Sequence, residues 1–384
     1  MEEKIFSEYG SKKLLMYADS FRQLANSFSE DTYRESDNRE QQIKKFYFKE
    51  SRQALMGNLS ELSEILQKVA QETAIYVELP DKVRKRIIRL LGKERIHVTQ
   101  IYYIEEKAAE KRMIRVNMCT EKTGGYTVGD VADMLSVIMD KRLTPCGINE
   151  HIIDKEDRSF FFIEEPPFFT VTGYARAVRE QEKISGDNYS VLELDCGKMI
   201  LLLSDGMGSG VRACKESSEV IERMETLLEA GHTVDGAMNI VNNTLLGDGE
   251  RVNMSTLDVC SLDLYTGRCE FRKMGAAASF IKSNVYVEPI VISRLPLGIF
   301  FRNEEDTIVR ELMDKDYLIM VTDGVLDAFG AGGYEEMLGQ YLRDMSQCSP
   351  AEVAQRILQF ALKCSGGHIR DDMTILVAEI FQNR

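Results

Sequence analysis

The chain has 384 residues, of which 44% are hydrophobic and 8% aromatic. This is enough apolar material for a large core, and it excludes a chain that is disordered throughout. Its 62 acidic and 48 basic side chains give a formal net charge of −14, which argues against general nucleic-acid binding because such binding uses cationic side chains to replace phosphate counterions.

The negative charge is concentrated in the C-terminal part. Residues 1–165 carry 27 basic and 29 acidic side chains, net −2, whereas residues 166–384 carry 21 and 33, net −12. A solvated acidic surface would explain this asymmetry, and so would carboxylates gathered around a metal ion. The longest apolar runs, Met199–Leu203 and Tyr317–Val321, have five residues each, against the roughly 20 that a membrane span needs. We therefore expect a cytoplasmic protein, or the cytoplasmic part of a membrane-anchored one.

Residues 1–75 have the pattern of a helical regulatory or linker segment. Apolar residues at spacings of three and four between Leu14 and Phe28 predict an amphipathic helix. A second predicted helix has an apolar seam, a line of side chains along one face with heptad spacing over about two heptads: Leu55, Leu59, Leu62, Leu66 and Val69. This helix either packs on its own domain or acts as a dimer or switch helix, so a homodimer through the N-terminal helices remains open.

Residues 76–165 predict a small α/β regulatory domain. Val98–Ile104, Ile114–Met118 and Phe160–Ile163 have strand patterns, and Val131–Met139 has a helical one. A further predicted helix carries a dense set of cations between Lys82 and Arg95. Such a face is either solvated or complementary to an acidic partner.

Pro166-Pro167 marks the start of the third predicted domain, residues 166–384. Strand patterns dominate from here, and two consecutive helices, Ala213–Ala230 and about Val234–Leu246, interrupt them. A later helix is predicted over Pro350–Cys364, before a last strand at Met373–Ile380. Many strands with two helices inserted together predict an α+β sandwich.

Four aspartates in this region lie beside small residues at predicted strand ends: Asp187, Asp205, Asp323 and Asp371. Converging carboxylates would form the all-oxygen site that Mg²⁺ and Mn²⁺ prefer. Taken singly, each is also compatible with an ordinary Asp-Gly turn. The glycine run after Asp205 does not fit a dinucleotide site, because its third glycine is one residue too early for G-x-G-x-x-G.

Seven motifs in order make the region recognisable. They are Ser-Gly-Asp-Asn-Tyr (185–189), Leu-Ser-Asp-Gly-Met-Gly-Ser-Gly (203–210), Ser-Thr-Leu-Asp (255–258), Gly-Ala-Ala-Ala-Ser-Phe-Ile (275–281), Leu-Pro-Leu-Gly-Ile (295–299), Val-Thr-Asp-Gly (321–324) and Asp-Asp-Met-Thr (371–374). Together they resemble the metal-dependent serine/threonine protein phosphatases of type 2C. The Asp-Gly-Met-Gly-x-Gly form is most similar to the stage II sporulation protein E branch.

The resemblance implies an αββα sandwich that binds two Mn²⁺ or Mg²⁺ ions at one edge. Asp187 would bridge both ions, while Asp205 and the Gly206 carbonyl would complete one site. Asp323 and Asp371 would complete the other, and Asp372 could replace Asp371, since the sequence does not decide between neighbours. A hydroxide formed between the two ions would attack the phosphorus of phosphoserine or phosphothreonine in line.

At two positions the sequence does not fully match the phosphatase mechanism that the resemblance implies. Met207 stands where eukaryotic members have a histidine that is proposed as general acid, although the sporulation branch shares the methionine. Arg176 is a candidate phosphate-contacting residue by position only.

The resemblance also implies a substrate, a phosphorylated anti-sigma factor antagonist, whose dephosphorylation would activate a sporulation sigma factor. The alternatives are a phosphatase-fold regulatory scaffold without catalysis and a stress-response phosphatase with another phosphoprotein substrate. The helix carrying Leu55–Val69 is predicted to bias the two helices after the Asp-Gly-Met-Gly motif toward or away from a metal-competent arrangement.

Overall fold

The computed structural model describes residues 21–22, 56–63, 65–66, 75–106, 111–120, 125–146, 152–194, 197–230, 232–247, 254–299, 306–330 and 334–383. Two compact units result: the first contains most of 62–166, and the second contains 167–194 and 198–383 together with 56–61. Of the predicted helix Leu14–Phe28 only residues 21–22 are described, and they are helical, while Leu55 and Val69 at the two ends of the second seam lie outside the described residues. The division into 1–75, 76–165 and 166–384 therefore stays a prediction.

The first unit is a five-stranded antiparallel sheet with two helices. Its strands are β1 (Ile75–Glu78), β2 (Ile96–Glu106), β3 (Lys111–Thr120), β4 (Leu143–Cys146) and β5 (Arg158–Glu164), in the order β1-β2-β3-β5-β4. Helices α1 (Asp81–Lys93) and α2 (Val128–Met139) pack on it. Alternate residues of β3, Ile114, Val116 and Met118, are buried in the same core as Ile87 and Leu91 of α1, because successive side chains of a strand point to opposite faces.

The second unit contains two five-stranded sheets. Its strands are β6 (Phe168–Ala177), β7 (Asp187–Leu194), β8 (Lys198–Asp205), β9 (Leu257–Asp263), β10 (Arg268–Met274), β11 (Ser279–Lys282), β12 (Val287–Ile290), β13 (Ile308–Glu311), β14 (Tyr317–Val321) and β15 (Met373–Gln382). One sheet has the order β13-β10-β9-β8-β7 and the other β12-β11-β14-β15-β6. The helices are α3 (Gly210–Glu229), α4 (Val234–Gly247), α5 (Asp323–Asp327), α6 (Tyr334–Asp344) and α7 (Pro350–Cys364).

Three apolar layers hold this unit together as an αββα sandwich. On β8, Leu201 and Leu203 face the opposite sheet, whereas Ile200 and Leu202 pack against α3 and α4. The second sheet repeats this arrangement and buries its outer face under α6 and α7. Because the central strands are covered on both faces, they have continuous apolar sequences rather than an alternating pattern. The predicted α+β sandwich is thus confirmed in the described part of the chain.

The first and last strands of the sandwich pair with each other. β6 and β15 run antiparallel over ten residue pairs, from Phe168↔Gln382 to Ala177↔Met373. Gly173 makes this closure possible under α7, because a Cβ atom there would lie 2.2 Å from the backbone nitrogen of Ala351. The pairing places the start of β15 beside the connection that leads into β7.

A buried ion pair lies inside the sandwich. The ammonium of Lys273, which has no solvent exposure, donates to Asp258 Oδ2, to the Ala277 carbonyl at 2.7 Å and to Ser279 Oγ at 2.7 Å. Ser279 Oγ also donates to Asp258 Oδ2 at 2.6 Å. These partners offset the desolvation that lowers the pKa of Lys273.

Of the helices that the structure describes, none combines the length and hydropathy needed to cross a membrane.

Candidate active site

Asp187 and Asp205 lie opposite each other at one end of the first sheet. Asp187 opens β7 and Asp205 ends β8, and the antiparallel register pairs the two residues directly. Side chains of directly paired residues have Cβ atoms about 5 Å apart, so the two carboxylates are neighbours by construction. Asp187 is fully buried, whereas Asp205 is half-buried.

Asp323 and Asp371 lie at the corresponding end of the second sheet. Asp323 follows β14 and opens the short helix α5, and Asp371 precedes β15, which pairs with β14. Gly324 brings the two segments into close contact, because a Cβ atom there would lie 2.2 Å from the Asp372 carbonyl oxygen and 3.2 Å from Asp371 Cβ. All four predicted aspartates therefore line one end of the sandwich.

Hydrogen bonds join the two halves of the site across the sheets. The Thr322 hydroxyl donates to Asp187 Oδ2 at 3.0 Å and accepts from the Thr374 backbone N–H at 2.9 Å. In the described part of the chain, Asp187 Oδ1 and Thr374 Oγ1 are buried and have no hydrogen-bond partner of good geometry. A buried carboxylate oxygen without a partner is costly, which is the condition that a cation would relieve.

Two glycines let helix α3 approach the aspartates. A Cβ atom at Gly206 would lie 2.0 Å from the Ala213 carbonyl oxygen, so the backbone after Asp205 packs directly on α3. A Cβ atom at Gly186 would lie 2.9 Å from Ala213 Cβ and 3.5 Å from Asp205 Oδ1. Side chains larger than hydrogen would push the aspartates and the helix apart.

The carboxylates are electrostatically strained by burial and by one another. Burial raises the pKa of Asp187 to about 6. Burial, followed by the charges of Asp187, Asp323 and Asp371, raises the pKa of Asp205 to about 9. Although its side chain reaches solvent, Asp323 also has a raised pKa because of partial burial and the charge of Asp371. Such a set of carboxylates favours either protons or cations.

The neighbours Asp371 and Asp372 have different environments. Asp372 is 3% exposed, and its two carboxylate oxygens accept from the backbone N–H groups of Arg179, at 2.8 Å, and Gly186, at 2.7 Å. Asp371 is half-buried, accepts from the Asp372 N–H at 3.0 Å, and has a pKa raised mainly by burial. Asp372 thus fixes the backbone, and Asp371 remains available to a ligand.

These residues fit a divalent cation in donor type. The donors are carboxylate oxygens, the preference of Mg²⁺ and Mn²⁺, and the orphaned Asp187 Oδ1 lies among them. In the described ranges, no three acidic, histidine or cysteine side chains already converge on one point as a closed cage. The aspartates therefore line an open, acidic end of the sandwich, where ions would have to draw the ligands together.

The roles of several site residues cannot be inferred from the sequence. Thr322 and Thr374 lie within two of the motifs, but nothing in the sequence indicates that they bridge the sheets. Arg179 was missed: it is exposed, and its charge acts to lower the pKa of Asp371. The candidate Arg176 instead lies with its guanidinium carbon 5.7 Å from the ring centroid of Tyr189.

The connectivity of the two sheets and four aspartates at one end define the type-2C protein phosphatase fold. The chain resembles, with a TM-score of 0.63 and 22% identity, the type-2C phosphatase domain and regulatory-domain fragment of the cell fate determinant SpoIIE of Bacillus subtilis. That likeness covers 91% of this chain and 100% of the solved one. More particularly, residues 195–381 match the family model of stage II sporulation protein E.

Two curated relatives extend the comparison. Stage II sporulation protein E of Priestia megaterium is 35% identical over 213 residues, which are 55% of this chain and 36% of the relative. The protein of the same name from Bacillus subtilis (strain 168) is 28% identical over 337 residues, 87% of this chain and 40% of the relative. The chain thus spans well under half the length of either relative.

Proposed function

We propose that residues 166–384 form a metal-dependent protein phosphatase that hydrolyses phosphoserine or phosphothreonine in a protein substrate. The observation that carries this proposal is the set of four carboxylates at one end of the sandwich, with a buried, unpartnered Asp187 oxygen and raised pKa values. Such a site is stabilised by divalent cations.

Asp187, Asp205, Asp323 and Asp371, with the Gly206 carbonyl, would hold two Mn²⁺ or Mg²⁺ ions. Bound there, the ions would supply Lewis acidity toward phosphoryl oxygens and lower the pKa of water. Thr322 orients the Asp187 carboxylate through its 3.0 Å hydrogen bond, and Asp372 holds the backbone on either side of the site. Arg179 is exposed and its charge acts to lower the pKa of Asp371, so it would be the cation that meets a phosphoryl oxygen of the substrate.

The substrate we propose is a phosphorylated anti-sigma factor antagonist, whose dephosphorylation activates a sporulation sigma factor. The match of residues 195–381 to the family model of stage II sporulation protein E supports this class. A stress-response phosphoprotein is the alternative substrate.

Phosphate release from a phosphoserine-bearing anti-sigma factor antagonist tests the reaction, the site and the substrate together. We expect release with Mn²⁺, none with chelator, and loss of release in Asp323→Ala. The matched control is Asp344→Ala, which removes an exposed carboxylate at the end of α6 and should leave the rate unchanged. Full activity of Asp323→Ala would reject the metal assignment.

We further propose that the N-terminal helical segment regulates the site through α3 and α4. Residues 56–63 are helical, and Glu61 Oε1 lies 3.1 Å from Nδ1 of His232, which is in the α3–α4 connection. Both side chains are mostly buried, at 14% and 13% exposure. Gly236 of α4 leaves space for this carboxylate, because a Cβ atom there would overlap Glu61 Oε1.

Glu61→Ala tests this regulation. We expect it to change the Mn²⁺ concentration for half-maximal phosphate release by threefold or more, while Glu222→Ala on the exposed face of α3 does not. An unchanged metal response in Glu61→Ala would contradict the coupling. A homodimer through the same segment would appear as a doubled mass in light scattering.

A regulatory scaffold without catalysis is the second candidate, because the described carboxylates do not form a closed cage. Calorimetry distinguishes it: a folded protein that binds no Mn²⁺ at millimolar concentration would be a scaffold.

A further inference from the structure

An open cavity of 510 Å³ adjoins the carboxylate site in the second unit. Asp323 lies on its wall, so the cavity begins where the proposed chemistry takes place. Its floor is formed by the small residues Gly275–Ala278, and Val291 and Leu295 contribute apolar walls with 49% and 52% of their surfaces exposed. Large apolar side chains left exposed beside a cavity indicate a surface that binds another molecule.

The wall that carries Leu295 is fixed to the site by four hydrogen bonds. Gly275 N–H donates to the Arg294 carbonyl at 3.1 Å, and Leu297 N–H to the Ser255 carbonyl at 2.9 Å. Ser255 Oγ donates in turn to the Asp205 carbonyl at 2.7 Å. Gly298 N–H donates to Asn242 Oδ1 of α4 at 2.9 Å. The wall is therefore held in place relative to Asp205 before any ligand binds.

Arg294 gives the cavity an unused hydrogen-bond donor. Its side chain is 19% exposed, and its Nε lies 3.6 Å from Asp306 Oδ2, a distance too long for a good hydrogen bond. Its Nη2 is buried and has no hydrogen-bond partner among the residues that the structure describes. A buried guanidinium nitrogen without an acceptor is costly, and a ligand that brings an acceptor would remove that cost.

We propose that this cavity binds the substrate segment next to the phosphorylated residue, with Arg294 as its specificity-determining residue. An apolar side chain of that segment packs against Val291 and Leu295, over Ala276. A backbone carbonyl of the same segment accepts a hydrogen bond from the Arg294 guanidinium, which turns Nη2 from its buried position toward the cavity. The inference rests on the proposed phosphatase activity and adds to it the chemistry by which the site selects a protein over a small phosphate ester.

The remaining charges favour a neutral segment over an acidic one. Asp323, Asp327 and Glu335 line the opposite side of the cavity, so an acidic substrate side chain would meet three carboxylates and one guanidinium. An apolar side chain avoids that repulsion, and a backbone carbonyl uses the donor without adding charge.

The test compares two phosphate esters on the full chain with Mn²⁺. One is a phosphoserine-bearing anti-sigma factor antagonist and the other is p-nitrophenyl phosphate, which is too small to reach the far wall. In Arg294→Met and in Ala276→Leu, which fills the floor, the ratio of kcat/KM for the protein to kcat/KM for the aryl ester should fall about tenfold or more, mainly through KM. The control is Arg310→Met on β13, which removes the partner of Glu288 on β12 and should leave this ratio unchanged.

Fluorescence anisotropy measures the affinity for the labelled antagonist and distinguishes a failure of the proposed subsite from a failure of the proposed phosphatase activity. A weaker affinity in both variants supports the subsite even if the wild-type chain releases no phosphate, and in that case the proposed catalytic function alone fails. An active wild type whose ratio and affinity are unchanged in both variants would overturn the subsite and leave the phosphatase proposal intact.

Discussion

Asp371 and Asp372 are adjacent in sequence, but we predict that their replacement by asparagine has different effects. Asp372→Asn should lower the stability of the fold, and Asp371→Asn should weaken Mn²⁺ binding. Asp372 offers two carboxylate oxygens to two backbone donors, Arg179 N–H at 2.8 Å and Gly186 N–H at 2.7 Å. In Asp372→Asn only one oxygen remains, so one N–H loses its acceptor and faces an NH₂ group. Asp371 accepts only the Asp372 N–H among the described residues, and its carboxylate is half-buried.

The magnitude follows from the bonds that are lost. A hydrogen bond to a charged acceptor contributes about 1.5–3 kcal/mol, and an unpaired buried donor costs about 1–3 kcal/mol. Asp372→Asn should therefore lower the free energy of unfolding by about 2–4 kcal/mol, which in a domain of this size lowers Tm by roughly 5–15 °C. Asp371→Asn removes one of several mutually repelling carboxylates, so Tm in chelator should change by about 2 °C at most.

Two assays on the same proteins decide the matter. Thermal unfolding in chelator measures the structural effect, and Mn²⁺ titration calorimetry measures the ligand effect. We expect Asp371→Asn to weaken Mn²⁺ binding by about tenfold or more with an unchanged Tm. Equal Tm losses in both variants, or a normal Mn²⁺ affinity in Asp371→Asn, would refute the division of roles.

Three further predictions concern other parts of the second unit. The folded-state pKa of Asp205 is raised to about 9, so its protonated carboxyl stabilises the fold at low pH and this contribution is lost as the pH rises. In chelator, raising the pH from 5.5 to 8 should therefore lower Tm less in Asp205→Asn than in the wild type. The same dependence of Tm on pH in both proteins would contradict this. Gly206→Ala should lower the free energy of unfolding in urea by about 1–3 kcal/mol, because its Cβ would overlap the Ala213 carbonyl. The control Gly339→Ala, on α6, has open space around its Cβ and should be neutral or stabilising. Similar losses in the two variants would be inconsistent with the packing. Lys273→Met should lower the free energy of unfolding in the same assay by about 3–5 kcal/mol, because it leaves Asp258 buried without its cation. The double variant Lys273→Met/Asp258→Leu should lose less. A larger loss in the double variant would show that the loss in Lys273→Met does not come from breaking the ion pair.

Much of the sandwich could be predicted because its elements have strong local signals. The helix predicted at Pro350–Cys364 is observed with the same bounds, and the structure shows a capping box of Ser349 and Glu352 and a proline in its first turn. The helix predicted at Ala213–Ala230 is observed as α3, Gly210–Glu229. We did not predict α5, because Asp323-Gly324 is typical of a turn. We also did not predict α6, although its apolar residues have the spacing of an amphipathic helix: Tyr334, Met337, Leu338, Tyr341 and Leu342.

The identity of the four aspartates was accessible from motif order, but their environment was not. Which of Asp371 and Asp372 faces the site depends on where the backbone N–H groups of Arg179 and Gly186 lie, and this is fixed by β6–β15 pairing across almost 200 residues. The approach of Glu61 to His232 likewise depends on tertiary packing. Pattern and spacing report local structure, and these contacts are not local.

The pairing of β6 with β15 also sets the order of events when the protein is made. Asp187 and Asp371 are separated by 184 positions in the chain. At about 10 residues per second, a ribosome needs on the order of 20 s to travel between them. β6 lacks its partner β15 throughout that interval, and β14 and Thr322, made near its end, also lack their partners on β15 until that strand follows. The proposed cation site therefore stays incomplete until Asp371 and β15 have been made, and a nascent chain that stops before them would lack the proposed phosphatase activity.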